Sequence, residues 1–482
     1  MKLKKCAALI LTAAMTAAIA AGCGSNGGGA DNGGGNEGGS GNESSSADDN
    51  TSKEPAGEIE VDFWTAPQQV QYDLWESKAQ AFNETKTEVD GKVVKVKVQQ
   101  MPESPSSEAG IQNAIATETA PAVSENVNRG FAATLAASDV VYDLSGEDWF
   151  NEVVEARQMS ETMENWAIDG KQYVLPVYVN PMVWQWNMKG LKALGYDKAP
   201  ETVEEFTEIM KAFETKKDAL AEVGVTHSFY RPSLGRPDQY WDRWFDFMMI
   251  YNGVSGGKSI VEGNKLTMDK DAAISAMEVI GAFGNSVQQG ELSSIWVEEN
   301  PSVLVSINAP WEISLYRENN VVYGENYVYG PSLVNKSGDT PYNYADSKGL
   351  TFYKAKNVSE EEHKGAVEFV KWVYSKENSA QSDLDWLNAT TMLPVRGDLN
   401  ENEAFAEVMG EYPELAALAE WVPYAIPGLA TDKDADIWTA FTEVCSGPYM
   451  NEVVEAEPGS APDATSYIEA AIEAMKQAGG LE

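Results

Sequence analysis

From residue 58 the chain reads EIEVDFW, in which Ile59, Val61 and Phe63 alternate with acidic neighbours. That period of two predicts a half-buried strand. In the VQYDLWESKAQAF that follows, Val70, Leu74 and Phe82 recur at near-helical spacing, and KVVKVKV then alternates again. Strand, helix and strand in short succession predict a βαβ opening, and so a parallel sheet covered by helices. The same grammar returns later. Thr202 and Glu205 form a capping box ahead of Phe206, Ile209, Met210 and Phe213, and Ser359 with Glu362 does the same before Ala366, Val370 and Val373. The predicted fold class is α/β, with no internal repeat at a solenoid period.

The first residues break this pattern. Lys2, Lys4 and Lys5 precede the apolar run AALILTAAMTAAIAA and then Gly22-Cys23, the layout of a secretory signal. The run is too short to span a bilayer, whose hydrocarbon core needs roughly 20 apolar residues. Residues 1–22 are therefore expected to be removed. The small residues before Cys23 resemble a lipobox, although Ala20 stands where that motif favours leucine, so Cys23 is the expected lipid attachment point. Residues 23–57 are mostly Gly, Asn, Ser and acids and bury nothing. As a flexible coil the stretch reaches ~30 Å, enough to tether a globular body at a membrane surface.

Composition narrows the function. The full chain has 482 residues and carries 35 basic and 75 acidic side chains, and removing the signal would strip three lysines and no acid. Such a surface repels phosphate backbones and anionic headgroups, which excludes nucleic acid as a partner and favours a neutral ligand. Of the three cysteines, Cys6 leaves with the signal and Cys23 is the anchor, so Cys445 has no intrachain partner. With only His227 and His363, a zinc site of the usual Cys/His kind cannot be assembled. His363 lies in SEEEHKGAVEFVKWVYS, on the polar side of an amphipathic helix, and is expected to be solvated.

Three short motifs suggest other chemistry. Gly253, Ser255 and Gly257 spell G-x-S-x-G, but a nucleophile elbow needs a helix directly after the serine, and GGKSIVEGNKLTMD reads as turns around a hairpin. Gly257-Lys258-Ser259 ends like a phosphate loop, yet Gly253 lies one position too close. Asp432, Asp434, Asp436 and Glu443 fall at positions 1, 3, 5 and 12 of an EF-hand loop, but Ile437 occupies the position whose sharp turn requires glycine. An acidic helix start capped by Asp436 fits that segment, and calcium there stays open.

Taken in order, the segments resemble the family 1 extracellular solute-binding proteins over essentially the whole body. EIEVDFWTAP resembles the family's opening strand, ending in a ligand-loop tryptophan, Trp64. In APAVSENVNRGFAATLAASDVVYDLSG, Ala122 replaces an acid of the family's turn, leaving Glu125 and Asn126 as nearby candidates. DGKQYVLPVYVNPMVWQWN is the most specific match and implies a polar contact at Asn180, near a crossing between lobes. DQYWDRWFDF, with Tyr240, Trp241 and Trp244, resembles the aromatic cluster of the second lobe. VLVSINAPWEIS implies a stacking platform at Trp311, and IPGLATDKDADIWTAF contributes Trp438. The resemblance implies a type II periplasmic-binding-protein-like fold, with a ligand cleft between hinge-linked lobes at 58–178 with 350–405 and 179–349 with 406–482.

The 14 Trp and 20 Tyr agree with a sugar ligand, because pyranose C–H faces pack on aromatic rings while the hydroxyls need polar partners. The expected function is an extracytoplasmic, lipid-anchored receptor on the outer face of the cytoplasmic membrane. It would be a monomer without cofactor or metal, passing a carbohydrate to the permease of an ABC importer, and not an enzyme. Two alternatives keep the same signal, tether and tryptophans: a lipid-anchored glycoside hydrolase and a carbohydrate-binding surface adhesin. Paired carboxylates cannot separate them, since 75 acids always contain some pair at a catalytic spacing.

Overall fold

A computed structural model describes residues 57–102, 106–230, 240–288, 302–308, 310 and 313–482. The alternating opening folds as expected. β1 (Glu58–Thr65) buries Ile59, Val61 and Phe63, and the helix Gln69–Thr85 leads through the short β2 (Glu88–Val89) to β3 (Lys92–Gln100). β1 and β3 pair in parallel from Glu58↔Val93 to Thr65↔Gln100. One detail differs: Val70 is 42 % exposed, and the buried face of the helix is Gln71, Trp75, Lys78, Ala79 and Phe82. Trp75 stands one position beyond Leu74 and packs on Phe63, with ring centroids 4.7 Å apart, which turns the helix about its axis.

β4 (Val123–Val127) and β5 (Leu175–Pro181) extend this first sheet. The chain then passes through the single residue Met182 into β6 (Val183–Asn187), which belongs to a second sheet. β7 (His227–Tyr230) follows in that sheet, and a separate hairpin of β8 (Val261–Glu262) and β9 (Lys265–Leu266) comes next. β10 (Val287–Gln288), β11 (Val303–Asn308) and β12 (Tyr327–Gly330) complete the second sheet, in the order β10-β7-β11-β6-β12. Residues 331–342 return the chain to the first sheet as β13 (Asn343–Phe352), followed by β14 (Leu393–Pro394) and β15 (Ala425–Ile426). That sheet runs β14-β5-β13-β4-β1-β3-β2, with β15 on β13. Residues 427–433 make a third passage, into the helix Asp434–Phe441, whose Ile437, Trp438 and Phe441 lie in the second hydrophobic core.

Each core is covered as the helical patterns predict. Both capping boxes form, and Phe206, Ile209, Met210 and Phe213 are buried behind the first, as are Ala366, Val370 and Val373 behind the second. The G-x-S-x-G motif is no elbow. Gly253 and Ser255 end the helix Tyr240–Ser255, and a Cβ on Gly253 would collide with the Leu333 carbonyl of the second passage. The expected hairpin comes after it, as β8 and β9. No described helix is long and apolar enough to cross a membrane.

Candidate functional site

The first passage leaves the sheet at a polar end. Directly paired strand residues share a face, and so do alternate ones. The pairs Tyr178↔Lys348 and Asn180↔Asp346 therefore place Tyr178, Asn180, Tyr344, Asp346 and Lys348 on one face of the β5–β13 ladder, beside the Met182 passage. Asn180 is fully buried, yet neither its amide oxygen nor its amide nitrogen has a hydrogen-bond partner among the described residues. A buried amide left this way is destabilising by about 1–3 kcal/mol for each group, so the position calls for a partner that the described residues do not supply. Asp346 and Lys348 are half-buried alongside it. They are candidate site residues the sequence motifs did not single out, and the alternation in YADSKG was the available signal.

Glu125 is buried as deeply but is fully engaged. Between the pairs Ser124↔Thr351 and Val127↔Gly349, two residues of β4, Glu125 and Asn126, oppose one of β13, Leu350, which is a β-bulge, and Asn126 takes φ 69° there. The bulge turns Glu125 inward beneath the segment that follows β1. Its carboxylate accepts the Ala66 N–H at 3.3 Å and the side-chain amide of Gln71. Burial pushes its pKa up to about 7, against the opposing pull of those hydrogen bonds and of Lys348. Trp64, at the end of β1, is 7 % exposed and counted in the first core. Asn126 is half-buried, with its amide 3.9 Å from the Met101 sulfur.

The aromatic candidates divide. Trp244 and Trp438 stack on each other at 5.2 Å and 12°, and Tyr344 meets Trp244 edge-on at 5.1 Å. Trp438 is fully buried and donates its indole N–H to Asp434 at 3.1 Å, so the pair forms an aromatic block at the third passage. The side chains of Tyr240 and Trp241, on the helix Tyr240–Ser255, lie outside the described residues, as does Trp311.

Beside that block Arg129 donates to the carbonyls of Gly428, at 2.8 Å, and Asn165, which ties the start of the third passage to the first sheet's helices. Burial pulls its pKa down to about 10, against Asp434 and Tyr344 nearby. Asp434 is pushed up to about 7, again chiefly by burial. Of the four residues at EF-hand spacing, Asp434 serves Trp438, and Asp432 pairs with Lys433 at 3.1 Å. Asp436 sits inside the first turn and is not the cap, because the helix already starts at Asp434. No group of three potential metal ligands occurs among the described residues. His363 is also placed differently from expectation. It stacks on Tyr142 at 3.7 Å, half-buried, and burial lowers its pKa to about 4.

Residues 78–417 match the profile of the bacterial extracellular solute-binding proteins. The chain belongs to that family. Among solved structures, this solute-binding protein is similar to an uncharacterized protein of Listeria monocytogenes, with 35% identity, TM-score 0.74, and coverage of 86% of this chain and 98% of the other. It shares its fold with the cyclic alpha-maltosyl-1,6-maltose binding protein of Arthrobacter globiformis, at 16% identity and TM-score 0.66 over 87% of this chain and 98% of that one. It shares it also with a family 1 extracellular solute-binding protein of Bifidobacterium longum subsp. infantis, at 16% identity and TM-score 0.59 over 88% and 100%. No curated protein matches the sequence. The expected two-lobed, type II α/β fold and the resemblance to family 1 are borne out.

Proposed function

We propose that this protein is an extracytoplasmic receptor that captures an oligosaccharide between its lobes and hands it to an ABC importer. The observation that carries this reading is the buried, unpartnered amide of Asn180 beside Asp346 at the passage between the two sheets. A sugar hydroxyl both donates and accepts, so it can satisfy both ends of an amide, and Tyr178 and Tyr344 share the strand face of that amide. Relatives of the same fold are described as binding cyclic alpha-maltosyl-1,6-maltose and maltotetraose, which supports a carbohydrate ligand. Trp64, Glu125, Asn126, Tyr240, Trp241, Trp244, Trp311 and Trp438 remain proposed members of the site or of its support.

A thermal-shift screen with maltotriose, maltotetraose and monosaccharides tests the reading. A sugar at 100 times its dissociation constant should stabilise the fold by about 2.7 kcal/mol and be recovered intact. Release of reducing ends from the cognate sugar would instead identify a hydrolase. The lysine-rich start and the small residues before Cys23 support a lipid anchor at that cysteine, on the outer face of the cytoplasmic membrane. Fatty-acid labelling that survives Cys23→Ala would sink that part of the proposal.

A further inference from the structure

Behind the site, four charged side chains are almost completely withdrawn from water: Arg157, Asp383, Arg396 and Asp398 are 0%, 1%, 3% and 7% exposed. Arg157 grips Asp383 with two hydrogen bonds, Nε to Oδ2 at 3.0 Å and Nη2 to Oδ1 at 2.9 Å. Arg396 reaches the same Asp383 at 3.1 Å and holds Asp398 through two more bonds, at 2.8 and 3.0 Å. Two cations and two anions thus form one closed cluster. A buried cluster of this kind is weak evidence for a stabilising role, since well-packed apolar residues can often replace it without loss.

Its contacts point to a different role. Arg157 also donates to the backbone carbonyls of Pro176, at 2.5 Å, and Val177, at 3.1 Å. These lie at an irregularity of β5, where the Val177 carbonyl also accepts the Val395 N–H at 3.2 Å. The ladder to β13 slips there, with Tyr178 opposite Lys348 but Pro176 opposite Gly349, and the partner on the other side, β14, is two residues long. The helix Ser379–Thr390 that carries Asp383 also lays Trp386 against Tyr178, with rings 5.4 Å apart and 15° from parallel. Two residues further along the same face of β5 stands Asn180.

We propose that the Arg157–Asp383–Arg396–Asp398 cluster is a positioning device for ligand binding, which fixes the slipped stretch of β5 and so sets where the Asn180 amide stands. The inference rests on the receptor function proposed above. None of the four residues touches ligand; they act through Asn180.

The test pairs Arg157→Met with Asp383→Leu, which removes one charge of each sign and leaves Arg396 with Asp398. In the ligand-free protein the side-chain amide NMR signal of Asn180, assigned by its loss in Asn180→Ala, should shift or broaden in this variant. With maltotriose as probe, calorimetric affinity should fall about tenfold, or ~1.4 kcal/mol, in the otherwise native protein and less than about twofold in the Asn180→Ala background. An unmoved amide signal, or the same affinity loss in both backgrounds, overturns the proposal. Should the double variant not fold, Asp383→Asn, which keeps the volume, is read by the same two measurements. A native protein that binds no sugar would fail the receptor reading alone, because the amide signal still decides the positioning role.

Discussion

Asn180 and Glu125 stand in the same sheet, both fully buried, yet among the described residues one has no partner and the other has two. Glu125 is placed by a bulge in β4 and braces the Ala66 backbone after β1. Asn180 is placed by regular pairing opposite Asp346, and the described residues supply nothing for it. The difference separates a polar group that completes the fold from one that the fold leaves open, and only the second asks for a ligand. Trp438 falls on Glu125's side of the division, with its face covered by Trp244 and its N–H taken by Asp434.

That contrast can be attacked at several points. The largest effect is expected from Trp438→Ala, which should lower stability by about 3–5 kcal/mol through cavity formation, as read by denaturant unfolding of the ligand-free protein. If the variant melts normally but loses sugar affinity, Trp438 belongs to the open class. Asn180→Ala should show the reverse signature. We expect sugar affinity to drop tenfold or more, about 1.4 kcal/mol, while the ligand-free melting temperature stays level or rises, since an unsatisfied amide is removed. A clear loss of stability would mean that the amide has a partner within the fold.

Glu125→Ala should cost about 1–3 kcal/mol of stability, because the Ala66 N–H and the Gln71 amide are left without an acceptor. Its affinity loss should trace to the segment after β1, so Glu125→Gln, which keeps an acceptor oxygen, should recover most of it. A pH slope sharpens the same division. Glu125, raised from 4.5 to about 7, and Asp434, raised from 3.8 to about 7, keep their protons in the folded state where the unfolded chain has lost them. Their contribution is complete below about pH 4 and is lost as pH rises through 7, at up to about 1.4 kcal/mol per pH unit for each group. Melting curves from pH 5 to 7.5 should slope downward, and less steeply in Glu125→Gln; an unchanged slope would remove Glu125 as the titrating group.

What the sequence made legible follows from how local each feature is. The βαβ opening and both capping boxes depend on neighbours within a few residues, and all of them form. The rotation of the first helix about its axis depends on Trp75 meeting Phe63, which spacing alone could not choose over Val70 and Leu74. His363 looked solvated because its own helix is charged around it, whereas the ring that covers it, Tyr142, comes from a distant segment. Resemblance pointed to Asn180, but that its amide lacks a partner is a property of everything packed around it. Asp346 escaped notice because one acid among 75 carries no signal until a register sets it across from that amide.

The shortest of the three passages has a mechanical consequence. Met182 alone joins β5 to β6, and its backbone N–H is bonded to the Tyr344 carbonyl at 2.9 Å, whereas the other two passages occupy residues 331–342 and 427–433. One residue spans under about 4 Å and holds no slack, so it can twist but cannot lengthen. Any swing of one sheet against the other must pivot close to Met182, while the longer strands of chain pay out around it. Asn180 lies two residues from that pivot, where displacement is least. A ligand seated there would feel the walls turn about it without being dragged along, like an object resting on the pin of a door.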